Sequence, residues 1–218
     1  MTRRDMIAIS ASGVSAAVIA ALGAERVDGQ DSLRVPLRFF SARQAKIIEA
    51  ACERIMPSNE SGPGAKDAAV VIYIDRQLAG PYGHDKYRYT QPPFFESMPE
   101  HGYQGKENPS EIYTAGIDQL GDFLSLTAEQ QDAKLISIEK SLFFTLLRTH
   151  TLEGMFSDPL HGGNAGMAGW KMVGFPGPRM SWREDIDKHF GEAFRPSPKS
   201  LIQIAGRPVK GMEDEPAG

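Results

Sequence analysis

The fold class is decided by residues 127–154, which read TAEQQDAKLISIEKSLFFTLLRTHTLEG. Thr127, followed three residues later by Gln130, forms a capping box, in which side chains satisfy the free N–H groups at a helix start. Four apolar residues then recur at intervals of three or four and share one helical face: Leu135, Ile138, Leu142 and Leu146. The pattern predicts one helix from Ala128 to about Glu153, the longest in the chain.

A second helix is predicted between Ser41 and Pro57. Ser41 and Gln44 form another capping box, and a proline cannot continue a helix, so Pro57 ends it. The apolar stripe of this helix consists of Ala45, Ile48, Cys52 and Ile55. Because its neighbours on the stripe are apolar, Cys52 is predicted to be a buried core thiol.

Three further helices are predicted, over residues 68–78, from Pro109 onward with Asn108 as its cap, and around residues 184–190. The apolar stripe of the Pro109 helix is Tyr113, Ile117, Leu120 and Leu124. No convincing set of strands and no internal repeat is present. The sequence therefore predicts an all-α domain of four or five helices with long ordered loops. Its predicted boundaries are 1–30 for a signal and linker, 39–180 for the helical domain, and 181–218 for an extension with one short helix.

Composition excludes several kinds of site. The chain has 218 residues, a formal net charge of -4 and a single cysteine. One cysteine rules out an intrachain disulfide and any cysteine-rich metal or iron–sulfur site. Acidic and basic residues are interspersed without a Lys/Arg-rich run, which argues against a nucleic-acid partner.

The N-terminus has the layout of an export signal. Arg3 and Arg4 precede an apolar run of small residues from Met6 to Ala24. The paired arginines resemble a twin-arginine signal, whose translocase passes folded cargo. An ordinary Sec signal and an uncleaved N-terminal anchor remain alternatives, and the cleavage position is left open.

Residues 80–108 form a long segment without periodicity that contains six aromatic residues: Tyr82, Tyr87, Tyr89, Phe94, Phe95 and Tyr103. A polar loop of this length would be read as disordered, but these side chains carry too much apolar area to leave in water. Either they pack on the domain's own surface or another protein covers them.

Residues 150–177 look like an active site. His150 and Glu153 are three residues apart on the long helix, and Asp158 and His161 follow closely. Three interpretations are open: a divalent metal site, a general acid and base at His150 and Glu153, or a structural network that orders the end of the helix. The metal site would use His150, Glu153, Asp158 and His161. The structural interpretation is favoured, because no metal, nucleophile or cofactor motif accompanies these residues.

The glycine-rich part of this stretch carries further candidates for structural or partner contacts. Asn164, Trp170, Met172 and Phe175 lie in a segment whose glycines permit unusual backbone angles. Tryptophan and methionine are enriched in protein interfaces, and Tyr89, Phe94 and Phe95 are candidates for the same role. For any one of these residues, packing on the domain's own core is an equal alternative.

The residues resemble those of a known family. The stretch ERIMPSNESGPGAKDAAVVIYIDRQLAG, the elements YTQPPF and GYQG, and above all HTLEGMFSDPLHGGNAGMAGWKMVGFPG look like the gluconate 2-dehydrogenase subunit 3 family. The resemblance covers roughly residues 39–177. It implies a small, or gamma, subunit of a membrane-bound sugar or sugar-acid dehydrogenase, located in the periplasm and associated with the inner membrane through its complex.

The resemblance also implies a division of labour. A large FAD-dependent subunit of the glucose-methanol-choline type would oxidise the sugar, and a multihaem cytochrome c subunit would pass on the electrons. The small subunit would carry no cofactor, support folding of the large subunit, and supply the twin-arginine signal that exports both. Which sugar or sugar acid is oxidised cannot be read from this chain. A free-standing export chaperone, which leaves after translocation, is the main alternative, and a metal-dependent enzyme that uses His150 and Glu153 is a second.

Overall fold

The computed structural model describes residues 35–88, 92–95 and 98–206, and within these ranges it is all-α, as predicted. The paired arginines Arg3 and Arg4, and Tyr89, lie outside the described residues. Five helices have ten residues or more: α1 (Ala42–Ile55), α2 (Val70–Ala79), α3 (Pro109–Leu120), α4 (Ala128–Ser137) and α5 (Leu142–Phe156). Three are shorter: α6 (Ala168–Val173), α7 (Arg183–His189) and α8 (Leu201–Ala205).

Helix starts follow the capping residues of the sequence. The hydroxyl of Ser41, the amide of Asn108 and the hydroxyl of Thr127 each accept the N–H three residues on, and Gln44, Glu111 and Gln130 bond back to the cap. These reciprocal bonds satisfy donors that a helix start leaves free. The three predicted caps are therefore confirmed.

The stripe of α1 faces the core as predicted. Ala45, Ile48 and Cys52 are buried and Ile55 is partly buried. The Cys52 thiol lies 3.3 Å from the Thr151 hydroxyl of α5, and burial raises the pKa of the thiol to about 12. Cys52 is therefore an inert core thiol, because only the thiolate is reactive.

The predicted long helix is wrong in one respect, because it is two helices. α4 ends at Ser137, residues 138–141 form a turn, and the Ser141 hydroxyl caps α5 by accepting the N–H of Phe144 at 3.1 Å. The break changes the buried face: Phe143 and Leu147 enter the core, whereas Leu142 and Leu146 are only partly buried. A serine cap thus competes successfully with helix continuation.

Two smaller differences from the prediction concern the end of α3 and the number of helices after residue 181. Leu124 does not extend the stripe of α3, because Gly121 ends that helix with a positive φ of 62° and leaves Leu124 44% exposed in a 3₁₀ turn. The extension after residue 181 holds α8 as well as the predicted short helix α7.

Asp75 of α2 anchors the chain that precedes α1. Its buried carboxylate accepts the backbone N–H groups of Arg38, Phe39 and Phe40 at 2.8, 3.0 and 2.9 Å. A buried carboxylate is tolerated when hydrogen bonds replace its lost hydration. The apolar periodicity of α2 gives no signal for this role.

Two glycines let the central helices approach closely. A Cβ on Gly154 of α5 would lie 3.0–3.2 Å from Val70 and Tyr73 of α2, and one on Gly116 of α3 would lie 2.1 Å from the Phe143 ring. α5 consequently packs against both α2 and α3. This arrangement places the end of α5 against α2 and beside the segment that follows α2. The site-like stretch, residues 150–177, begins at this end of α5.

Candidate functional site

His150 of α5 lies in the core and is held through both ring nitrogens. Its Nδ1 is 2.8 Å from the hydroxyl of Tyr113 on α3, and its Nε2 is 2.8 Å from the hydroxyl of Tyr82, just after α2. The Tyr113 ring stacks on the imidazole at a centroid distance of 5.6 Å, and the Tyr82 ring meets it edge-on at 5.4 Å. One histidine therefore joins α3, α5 and the segment after α2.

The burial of Tyr113 determines which ring nitrogen of His150 carries the proton. Tyr113 is fully buried, and His150 is the partner of its hydroxyl within the described part of the chain, so this hydroxyl donates to Nδ1. A neutral imidazole has one donor and one acceptor, which leaves Nε2–H to donate to Tyr82. Tyr82 is 41% exposed, so its own proton can reach water.

The electrostatics keep this network uncharged at neutral pH. Burial lowers the pKa of His150 from 6.5 to about 4. Burial also raises the pKa of the Tyr113 hydroxyl well above its usual value, and that of Tyr82 to about 12. Proton transfer through His150 at neutral pH therefore requires a charged state that the core disfavours.

Glu153 is exposed and has a partner other than His150. Its carboxylate accepts the Tyr73 hydroxyl of α2 at 3.0 Å. Burial, and next to it the Glu153 charge, raise the pKa of Tyr73. Glu153 does not bond to the His150 imidazole, because two tyrosines from other elements occupy both ring nitrogens.

Asp158 and His161 follow α5 in a 3₁₀ turn. One Asp158 oxygen accepts the N–H of Leu160 at 2.9 Å, and the other accepts the N–H of Leu201 at the start of α8 at 2.8 Å. His161 is exposed. Within the described ranges no group of three or more His, Cys, Asp and Glu side chains is placed to hold a metal ion. The four residues that suggested a metal site thus do not form one cluster.

Asn164 and Trp170 hold the glycine-rich loop on the domain's own core. Asn164 is fully buried with a φ of 48°, donates to the carbonyl of Ser157 at 2.8 Å and accepts the N–H of Gly169 at 2.9 Å. The Trp170 indole donates to the carbonyl of Phe156 at 2.6 Å. Both side chains therefore tie the end of α5 to the start of α6.

Met172 and Phe175 remain at the surface of this loop. They are 36% and 40% exposed, and Phe175 meets the Trp170 ring edge-on at a centroid distance of 5.0 Å. The sequence assigned the same two alternatives to all four loop residues. In the structure Asn164 and Trp170 pack on the domain's own core, whereas Met172 and Phe175 keep part of their apolar area exposed.

A family model described as gluconate 2-dehydrogenase subunit 3 matches residues 42–177. The chain belongs to the gluconate 2-dehydrogenase subunit 3 family. No curated protein and no solved structure matches it. Membership of the subunit 3 family implies association with a dehydrogenase complex. The match spans α1 to α6, and therefore includes His150, both of its tyrosine partners and the glycine-rich loop.

In this subunit 3 chain the segment after α2 is organised by one arginine. The guanidinium of Arg88 lies 5.6 Å from the centroid of the Phe94 ring and 5.2 Å from that of Tyr103, pairs with Asp85 at 2.9 Å and donates to the Gly105 carbonyl. Such contacts hold together the described parts of this segment, in which Pro99–His101 forms a 3₁₀ turn.

The aromatic residues around Arg88 still present apolar area to solvent. We define the aromatic surface as Tyr87, Phe94, Phe95, Met98 and Tyr103, which are 36–80% exposed. Of the two interpretations left open by the sequence, packing on the domain's own surface accounts for Tyr82, which contacts His150. Tyr87, Phe94, Phe95 and Tyr103 remain 36–80% exposed.

Sequence reasoning missed the residues that hold His150. Tyr113 was correctly expected in the core, but as an apolar stripe residue, and Tyr82 was grouped with the loop aromatics. A fully buried tyrosine needs a hydrogen-bond partner for its hydroxyl, which is the one signal that could have linked it to a histidine. In the described part of this subunit 3 chain, no helix has the length and apolarity required to cross a membrane.

Proposed function

We propose that this chain is the small, cofactor-free subunit of a periplasmic, membrane-associated dehydrogenase complex that oxidises a sugar or sugar acid. It binds a large FAD-dependent subunit of the glucose-methanol-choline type and supports the folding, stability and export of that subunit. A multihaem cytochrome c subunit completes the complex. The family match over residues 42–177 carries the proposal.

The geometry of the site-like stretch supports a binding role for this chain. His150 has both ring nitrogens engaged and a pKa of about 4, and Asn164 is used to join two helices. A general base for chemistry at neutral pH needs a reachable nitrogen and a pKa near the working pH. These residues instead fix the shape of the surface around them.

The apolar surface supplies the binding energy in this proposal. The aromatic surface, Met172 and Phe175 expose large apolar side chains on a chain of modest size. Removing apolar area from water is worth about 25 cal/mol per Å², and a standard interface buries about 1,600 Å² in total. The free energy gained by burying an interface of that size exceeds the free-energy cost of association, provided that a few anchor side chains are fully buried.

Co-expression with and without the large flavoprotein subunit tests the proposal. We expect the two chains to co-purify with one FAD per pair, and the large subunit made alone to be insoluble or to lack FAD. Loss of stoichiometric association, with a large subunit that folds normally alone, would refute the role. Stoichiometric metal or a chromophore in the isolated small chain would instead revive the enzyme alternative.

Export by the twin-arginine translocase has its own test. Replacing Arg3→Lys together with Arg4→Lys is expected to leave the large subunit in the cytoplasm, because the translocase receptor reads the arginine pair. Unchanged export would point to a Sec signal. Purification of the mature complex then distinguishes a resident subunit, which remains bound, from a chaperone that leaves after translocation.

A further inference from the structure

A groove of about 640 Å³ lies between α2 and the end of α5. Its lining includes Tyr73 and Gln77 from α2, and Glu153, Phe156, Asp158 and His161 from the end of α5 and the turn that follows. The walls are therefore partly aromatic, and two carboxylates open into the same space.

Within the described residues, both carboxylates accept hydrogen bonds from uncharged groups. Glu153 is held by the Tyr73 hydroxyl, and Asp158 by the N–H groups of Leu160 and Leu201. All of these partners are neutral, and no Lys or Arg in the described ranges forms an ion pair with either carboxylate.

Neither Arg76 of α2 nor His161 forms an ion pair with these carboxylates. The Arg76 guanidinium packs against Gly162, where a Cβ would lie 2.8 Å from its Nε, and that nitrogen is buried without a hydrogen bond. His161 is the basic side chain in the lining of the groove. Among the described residues, the two carboxylates therefore face the groove without an ion-pair partner.

An apolar rim borders the acidic groove. Because Asp158 binds the N–H groups of both Leu160 and Leu201, these two residues are neighbours, and they are 50% and 44% exposed. A cationic side chain with an aliphatic stem matches this combination, because its head pairs with the carboxylates while its stem covers the leucines.

We propose that this groove receives an arginine or lysine side chain from the partner protein of the complex. The proposal rests on the proposed function for the identity of the partner, and on the charge and shape of the groove for the kind of side chain. Arginine fits better than lysine, because its flat guanidinium can stack on Tyr73 or Phe156 while it bonds to Glu153.

A small probe tests the groove without the partner. The full chain is titrated with acetyl-arginine amide and, separately, with the uncharged analogue acetyl-citrulline amide, and NMR shifts are followed at Tyr73, Gln77 and Glu153. We expect arginine to bind at these residues and citrulline to bind at least about fivefold more weakly. Equal binding of the two probes, or shifts confined to another surface, would overturn the proposal.

Variants tie the groove to complex formation. Glu153→Gln keeps an acceptor for Tyr73 and removes the charge. Glu139→Gln is the matched control, because Glu139 is exposed, lies in the turn before α5 and is not among the residues that line the groove. We expect Glu153→Gln to weaken binding of the large subunit about tenfold, with a shallower dependence on salt, and Glu139→Gln to bind as the native chain does.

The outcomes separate the two proposals. Unchanged affinity of Glu153→Gln for a large subunit that the native chain binds would overturn the groove proposal and leave the proposed function standing. If the native chain binds no large subunit, the proposed function fails, and the arginine titration alone decides whether the groove accepts a cationic side chain.

Discussion

Protonation of His150 is expected to destabilise the folded chain as the pH falls. In the unfolded chain the imidazole takes up a proton near pH 6.5, whereas burial lowers its pKa in the folded chain to about 4. Between these values the unfolded state binds more protons, so the free energy of unfolding decreases as the pH is lowered. Since one pKa unit corresponds to about 1.4 kcal/mol, the loss attributable to His150 approaches 3 kcal/mol by pH 4.

The variant His150→Gln isolates this contribution. Glutamine keeps one donor and one acceptor for Tyr113 and Tyr82, and it does not titrate. We expect it to cost about 1–3 kcal/mol at pH 7, because the bonds are imperfectly replaced, and to lose less stability than the native chain between pH 7 and pH 4. Carboxylates titrate in both proteins. The pH dependence of the difference in the free energy of unfolding between the two proteins therefore measures the contribution of His150.

Urea denaturation, followed by far-UV circular dichroism at pH 7, 6, 5 and 4, measures the effect. His161→Gln is the control, because His161 is an exposed histidine of the same stretch. The free energy of unfolding of the native chain minus that of His150→Gln should fall by about 3 kcal/mol from pH 7 to pH 4, so that the variant is at least as stable as the native chain at pH 4, and His161→Gln should follow the native chain. Parallel pH profiles for the native chain and His150→Gln would refute the assignment of a buried, neutral imidazole.

Three further substitutions or probes follow from the fold. Asp75→Ala leaves three backbone N–H groups without their acceptor and should cost at least about 3 kcal/mol in urea denaturation, whereas Asp75→Asn should cost less because it keeps one oxygen. Asn164→Ala removes two buried hydrogen bonds and strains a left-handed backbone, so a loss of about 2–4 kcal/mol is expected, and thermal unfolding checks it. Cys52, with a pKa of about 12, should react with Ellman's reagent at pH 8 only as fast as the chain unfolds, and rapid native-state labelling would contradict its burial.

Helix starts were predictable because their signals are local. A capping box needs residues only three apart, and Ser41, Asn108 and Thr127 each satisfy it within one turn. The burial of Cys52 was predictable for a similar reason, since its neighbours on the stripe are close in the sequence. The split at residues 138–141 was missed because Leu142 and Leu146 continue a helical period across it.

The candidate site was harder to predict because its contacts join distant segments. His150 and Glu153 were identified from their spacing, but spacing on one helix does not show which side chain faces the core. The partners of His150 are 37 and 68 residues away in the sequence, and the Glu153 partner is 80 residues away. No local pattern connects positions so far apart.

The sequence by itself determined the all-α class, the starts of α1, α3 and α4, and the membership of the subunit 3 family. Each of these depends on signals between residues close in the sequence: the caps, the apolar periods and the block at residues 150–177. Only the tertiary structure decided that His150 is a neutral core residue and that Glu153 faces an acidic groove. The reason is that close packing of α5 against α2 and α3 determines which polar groups lose their water, and a side chain's environment, more than its type, sets its charge and its accessibility.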